Sequence, residues 1–204
     1  MLFRNISNLE GLSRKEREKL FKKHEILSAA LKLFANKGYE KTTLDEIASA
    51  AEFGKGTLYN YFSNKEEIFV AILEEVTTGY LNQLKSTFDS TASLKELILN
   101  VSKNIFKFFI ERTEEFILMH SVRTQTISFD PREKSEVLRN NLDSIRSLYR
   151  QRISDAIKKN EIIDVDLDSI QLLIQSMFFG YLHQLYMCGA TENLDVDKEC
   201  EFVV

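Results

Sequence analysis

One proline and seven glycines in 204 residues leave this chain short of the residues that punctuate a sheet, and no stretch alternates Val, Ile or Thr with a period of two. Strands need both features, so their scarcity excludes an all-β fold and predicts an all-α one. Cysteine is scarce too. Cys188 and Cys200 have no Cys or His at ligand spacing, which excludes a disulfide framework and a zinc site and fits a reducing, cytoplasmic setting. His24, His120 and His183 have no nucleophile or ligand pattern around them, so no enzymatic reaction, metal or cofactor is expected. The longest apolar stretch, Leu172 to Leu182, is interrupted by Gln175, Ser176 and Gly180 and is too short to span a bilayer. MLFRNISNLEG lacks the apolar run of a secretion signal. No membrane partner is expected.

What the chain does have is an uneven distribution of charge. Its net charge of −4 gives no reason to expect a polyanion partner, but residues 1–65 hold 12 Lys/Arg against 8 Asp/Glu and the remainder 15 against 23. A basic first third on an acidic remainder is the asymmetry of a protein that meets nucleic acid at one end. Random scatter of solvated charge is the competing reading.

Helix starts are legible because a Ser or Thr followed three residues later by Glu satisfies two orphan backbone donors reciprocally. Such pairs stand at Ser13/Glu16, Thr43/Glu46, Ser63/Glu66 and Ser93/Glu96. The first helix carries Leu20, Leu27, Ala30, Leu31 and Phe34 on one stripe and stops at Gly38. A short second helix follows over about 44–50, a third within 55–62, and a fourth from Lys65 towards Thr87. Longer helices come next, with apolar stripes on Leu94 to Phe109 and Phe116 to Ile127. Asp130-Pro131 reads as a cap and first residue that open a helix running through Leu138 to Ala156. The last long helix, about 167–188, is apolar nearly all round. One side of it can meet the chain's own core, so the other predicts a partner.

Residues 51–62, AEFGKGTLYNYF, superficially resemble a phosphate-binding loop. The spacing excludes that reading, because a second glycine separates Lys55 from Thr57 and no strand precedes them. A short helix, a turn of about four residues and another short helix is the helix-turn-helix arrangement, whose second helix enters the DNA major groove. On the wheel Leu58 and Phe62 share an inward face, with Phe53 beside them. Gly56 and Asn60 lie opposite, flanked by Lys55, Thr57 and Tyr59. Gly56 would let the backbone approach the duplex, and Asn60 has the donor and acceptor that match adenine.

Lys23 to Glu67, KHEILSAALKLFANKGYEKTTLDEIASAAEFGKGTLYNYFSNKEE, resembles the DNA-binding domain of the tetracycline-repressor (TetR) family. The resemblance lies in ILSAALKLF, the Gly38-Tyr39 break, the paired threonines, DEIA, GKGTLYNYF and NKEE, in the family's order and spacing. It implies an all-α protein with a three-helix helix-turn-helix domain over 20–80, its motif at 43–62, and a C-terminal helical domain for ligand and dimerisation over 81–204. It places DNA contacts on Thr43, Lys55, Gly56, Thr57, Tyr59, Asn60, Tyr61 and Lys65. Structural readings stand beside these: Thr43 is a cap in any case, Tyr59 or Tyr61 can be packing, and Lys65 a solvated charge. Two positions depart from the pattern, Glu52 where glycine is common and Gly54 where a capping serine is common. The basic run Arg14 to Lys23 alternates with Glu16 and Glu18, as an exposed helix face does, and a DNA-contacting arm is the competing reading.

The resemblance also implies a homodimer that binds a palindromic operator in double-stranded DNA and responds to a small hydrophobic or amphipathic effector. Two recognition helices must reach successive major grooves roughly 34 Å apart, so a modest spread weakens both. Candidate effector groups are Phe106, Phe109, Phe116, Met119, His120, Arg123, Phe129 and Tyr149, with His120 and Arg123 able to meet an anionic head group; plain core is the other reading. Gly180, costly inside a helix by about 1 kcal/mol, points to a close crossing, and Met177, Gly180, Tyr181 and Gln184 are the candidate dimer face. Residues 195–204 are too few for a further full helix there. Two functions remain: a ligand-responsive repressor, or a DNA-organising protein with the same head and no effector.

Overall fold

The computed structural model describes residues 11–89, 93–124, 127–189 and 194–203, and every regular element among them is a helix. In chain order these are α1 (Arg14–Lys37), α2 (Leu44–Ala50), α3 (Lys55–Tyr59), α4 (Lys65–Asp89) and α5 (Leu94–Glu111), then α6 (Thr113–Arg123), α7 (Pro131–Lys134), α8 (Glu136–Lys158), α9 (Leu167–Met187) and α10 (Val196–Val203).

Capping chemistry sets most of the boundaries. Ser13 N–H donates to Glu16 Oε2 at 2.8 Å while Glu16 N–H donates to Ser13 Oγ at 3.3 Å; Thr43 and Glu46 repeat the exchange at 2.9 and 3.3 Å. Gly38, at φ 84°, ends α1 with its N–H on the Phe34 carbonyl. At α4 the expected box on Ser63 and Glu66 is built one residue later: Asn64 Oδ1 accepts from Glu67 N–H at 2.9 Å, and the Glu67 carboxylate accepts from Ser63 N–H at 2.7 Å. Asparagine caps at least as well as serine, so the neighbour wins.

The long helix expected from Pro131 is also corrected. The chain leaves helical geometry at Ser135 (φ −142°, ψ 122°), whose Oγ accepts from Leu138 N–H at 3.0 Å and starts α8. The same hydroxyl donates to the Glu74 carboxylate, so a tertiary partner holds the break open. Leu20 is exposed, not on the buried stripe.

Packing divides the chain into two units. One comprises Met1–Thr77 with Glu114–Arg139, the other Thr78–Thr113 with Asn140–Val204. The single boundary expected near residue 80 is therefore joined by a return of the chain to the first unit. That unit is centred on the rings of Phe34, Tyr39, Phe69 and Phe129, whose contacting pairs have centroids 5.1 to 5.8 Å apart. Phe129, a sequence candidate for the effector, is thus a core residue of the head. In the second unit Leu81, Leu84, Leu97, Val101 and Ile145 form the core, with Tyr80, Phe88 and Tyr149 packed on it. α10 lies on α5, fastened by Lys103 and Asp197 at 2.7 Å, and Cys200 of α10 is buried.

Glu52 is the strained position of the head. It follows α2 at φ 60°, with its N–H on the Ser49 carbonyl and the Phe53 N–H on that of Ala48. That is a Schellman ending, whose left-handed residue is normally glycine. Glu52→Gly is expected to stabilise the protein by about 1 kcal/mol, seen as a Tm higher by about 2–4 °C in thermal unfolding at fixed protein concentration.

Candidate nucleic-acid interface

The helix-turn-helix is α2, a turn and α3. α3 keeps Leu58 fully buried and the following Phe62 nearly so, which fixes its inner face and rests it on the core of the head. Lys55, Gly56, Tyr59 and Asn60 are exposed; Thr57 and Tyr61 are half-buried. A Cβ added at Gly56 would meet nothing within 4 Å, so the fold of the free protein does not require glycine there. Asn60 ends α3 as its C-cap, with its side chain exposed. Gly54 is the N-cap and supplies no side-chain hydrogen bond, so α3 starts on main-chain bonds from Thr57 and Leu58 to the Gly54 carbonyl.

Three of the polar candidates, Thr43, Lys55 and Lys65, have protein partners. Thr43 Oγ1 donates to Glu46 Oε2 at 2.8 Å, so its hydroxyl serves the cap of α2. Glu46 also accepts from Lys37, and that bond, followed by those from Thr43, holds its carboxyl down at about 2. Lys55 Nζ reaches Asp45 Oδ1 at 2.7 Å across the surface between α3 and α2, and this hydrogen bond raises the pKa of the ammonium. Asp45 is a charged neighbour of α3 that the sequence analysis does not single out. Its only trace was an opposite charge in the preceding helix.

Lys65 is the clearest departure from expectation. Its ammonium donates to the carbonyls of Tyr39 at 2.7 Å, Thr42 at 2.9 Å and Glu40 at 3.3 Å, and lies 4.2 Å from the centre of the Tyr39 ring. All three donors are spent on the loop between α1 and α2, and burial pushes the pKa down. This residue fastens the loop that delivers α2; it is neither a solvated charge nor, in the free protein, an available phosphate ligand.

The effector candidates are divided between the two units. Phe106 is buried and packs with Phe178 and Tyr181, at centroid distances of 6.3 and 6.4 Å. Phe109 is fully buried in the same unit. Tyr149 meets Tyr80 through their hydroxyls at 3.3 Å and Phe88 edge to face. Phe116 is buried in the first unit, where His120 stacks on it at 6.5 Å, and Met119 is half-buried. The side chain of Arg123 lies outside the described residues, as do residues 125 and 126 of the expected apolar segment. A shallow groove in the second unit is lined by Lys85, Asn140, Asp143, Ser144 and Gln151 and contains none of these candidates.

Of the dimer candidates, Met177, Gly180 and Gln184 are exposed on one side of α9. Leu172, Leu173 and Met187 are exposed with them, whereas Phe178 and Leu182 are buried on the other side. Tyr181 is corrected: its hydroxyl donates to Glu199 of α10 and its ring meets Phe106, so it faces its own chain. One position along a helix is a rotation of about 100°, enough to carry Tyr181 from the side of Gly180 to the inside. Among the described residues no helix is long and apolar enough to cross a membrane.

Residues 26–72 match the family of bacterial regulatory proteins described as tetR family. An uncharacterized HTH-type transcriptional regulator of Bacillus subtilis (strain 168), YhgD, is 28% identical over 162 residues, covering 79% of this chain and 82% of that protein. The biofilm operon icaADBC HTH-type negative transcriptional regulator IcaR of Staphylococcus epidermidis is 32% identical over 98 residues, 48% of this chain and 51% of its own length. Among solved structures, the transcriptional regulator FadR from Bacillus subtilis in complex with stearoyl-CoA matches with a TM-score of 0.74 at 19% identity, over 88% of this chain and 94% of that one.

Proposed function

This chain is a member of the TetR family of transcriptional regulators, and from that premise we propose that it is a homodimeric repressor, released from a palindromic operator by a small hydrophobic or amphipathic effector. The observation that carries the DNA reading is the outer face of α3. It presents an open glycine, an exposed Asn60 and an exposed Tyr59 that the protein's own packing does not use. Repression is supported by the name of the staphylococcal relative, a negative regulator. An amphipathic effector is supported by the aromatic interior of the second unit, where buried rings stand beside the Tyr80–Tyr149 hydroxyl pair, and by the stearoyl-CoA held by the fold neighbour. A homodimer is supported by the exposed apolar side of α9.

Footprinting on the promoter region of the protein's own gene tests the reading. It is expected to show one protected palindrome whose half-sites are about one helical turn apart. On that site Asn60→Ala is expected to lower affinity by roughly 10- to 100-fold, the range of 1–3 kcal/mol for a paired contact to a base edge, while leaving affinity for random DNA unchanged. Uniform protection along the fragment contradicts it. The second reading, a DNA-organising protein without an effector, is favoured by the full burial of Phe106 and Phe109. A thermal-shift screen of acyl and aromatic carboxylates separates the two: one compound that raises Tm and dissociates the operator complex establishes the repressor.

A further inference from the structure

The ion pair between Asp45 and Lys55 lies on the surface that the preceding reading turns towards DNA. The side chains are 64% and 57% exposed and their charged atoms are 2.7 Å apart. Exposed pairs of this kind contribute little to stability, so the fold has small use for it. The neighbouring carboxylate, Glu46, is committed to the cap of α2 and to Lys37, whereas Asp45 has no part in that cap. Lys55 opens α3, beside the open Gly56. DNA meeting this surface offers Lys55 a phosphate in place of Asp45, an exchange of one anion for another. Binding without sequence preference draws nearly all its strength from such phosphate contacts, and its salt dependence counts them.

We propose that Asp45 is a specificity-determining residue, which holds Lys55 in an internal ion pair during non-specific encounters and yields it to a phosphate only when α3 is seated in the groove of the operator. The inference rests on the reading of α3 as the recognition helix. It makes Lys55 silent on random DNA and active on the operator, so Asp45 widens the gap between the two affinities without touching a base.

The test measures binding of the full chain to the footprinted operator and to a scrambled duplex of equal length and composition, by fluorescence anisotropy over a salt series. Asp45→Asn is expected to raise affinity for the scrambled duplex by roughly 3- to 10-fold at low salt. It steepens the slope of log K against log salt there by about one charge per protomer, and leaves the operator slope unchanged. Lys55→Met is expected to weaken operator binding by a clearly larger factor than scrambled-duplex binding, a result that does not depend on Asp45→Asn folding well. In the Lys55→Met background, Asp45→Asn loses its effect on the scrambled duplex. Equal slope changes on both duplexes, or a gain from Asp45→Asn that survives without Lys55, overturns the proposal, as does Lys55→Met weakening both duplexes equally. A wild-type protein that does not distinguish the duplexes overturns the reading of the head and this inference with it, which keeps the two failures apart.

Discussion

Met177→Glu is expected to leave the protein monomeric at micromolar concentration and to lower its affinity for a palindromic operator by at least about 100-fold. Met177 is 67% exposed in the middle of α9, level with Leu173 on one turn and Gly180 on the next, and these exposed positions form the side of the helix that the described residues leave uncovered. A twofold axis through such a face brings the two copies of one residue close together. Glutamate there sets two carboxylates against each other as they leave water, and burying an unpaired charge costs several kcal/mol. Operator binding falls when dimerisation is lost, because two linked heads gain roughly 10²–10⁴ over one. Sedimentation velocity reads the first effect and anisotropy on the operator the second. A variant that stays dimeric places the interface elsewhere.

Lys65→Met is expected to destabilise the head by about 2 kcal/mol, since hydrogen bonds to a charged group are worth about 1.5–3 kcal/mol and methionine keeps only the apolar stem. The carbonyls of Tyr39, Glu40 and Thr42 lose their common donor, and the Tyr39 ring loses its cation. Operator affinity falls because α2 is delivered by that loop. Urea unfolding distinguishes this from a phosphate contact. A phosphate ligand would leave the unfolding midpoint in place and flatten the salt dependence of DNA binding; a loop clamp lowers the midpoint.

The contrast between Leu58 and Lys65 shows what could be read from the chain. The two faces of α3 followed from spacing alone, because Leu58 and Phe62 four apart must share a side and leave Gly56 and Asn60 on the other. The ends of α1 and α2 followed because each capping pair lies within one turn. Lys65 could not be read in the same way, since its partners are main-chain carbonyls more than twenty residues earlier, and backbone acceptors carry no sequence signature. Tyr181 failed for a related reason. Its direction depends on Glu199, a partner supplied by α10, and the sequence could not say that residues 196–203 form a short helix carrying it. Ser135 lacked the downstream Glu that would have marked it as a cap, and the adjacent Asp130-Pro131 was the stronger signal. The effector candidates were chosen as aromatic and methionine residues at helical spacing, and that pattern belongs equally to a packed core, which is where Phe106, Phe109 and Phe116 lie.

If the outer side of α3 is shaped for DNA and not for the protein's own fold, Gly56→Ala separates the two demands. An added methyl meets nothing within 4 Å in the free protein, and alanine is the better helix former by about 0.8–1.0 kcal/mol. The variant should therefore unfold at a higher urea concentration than the wild type while binding the operator at least about tenfold more weakly, the size of one lost base or backbone contact. Operator affinity equal to that of the wild type in a variant of equal or greater stability would mean that α3 does not approach the duplex at Gly56.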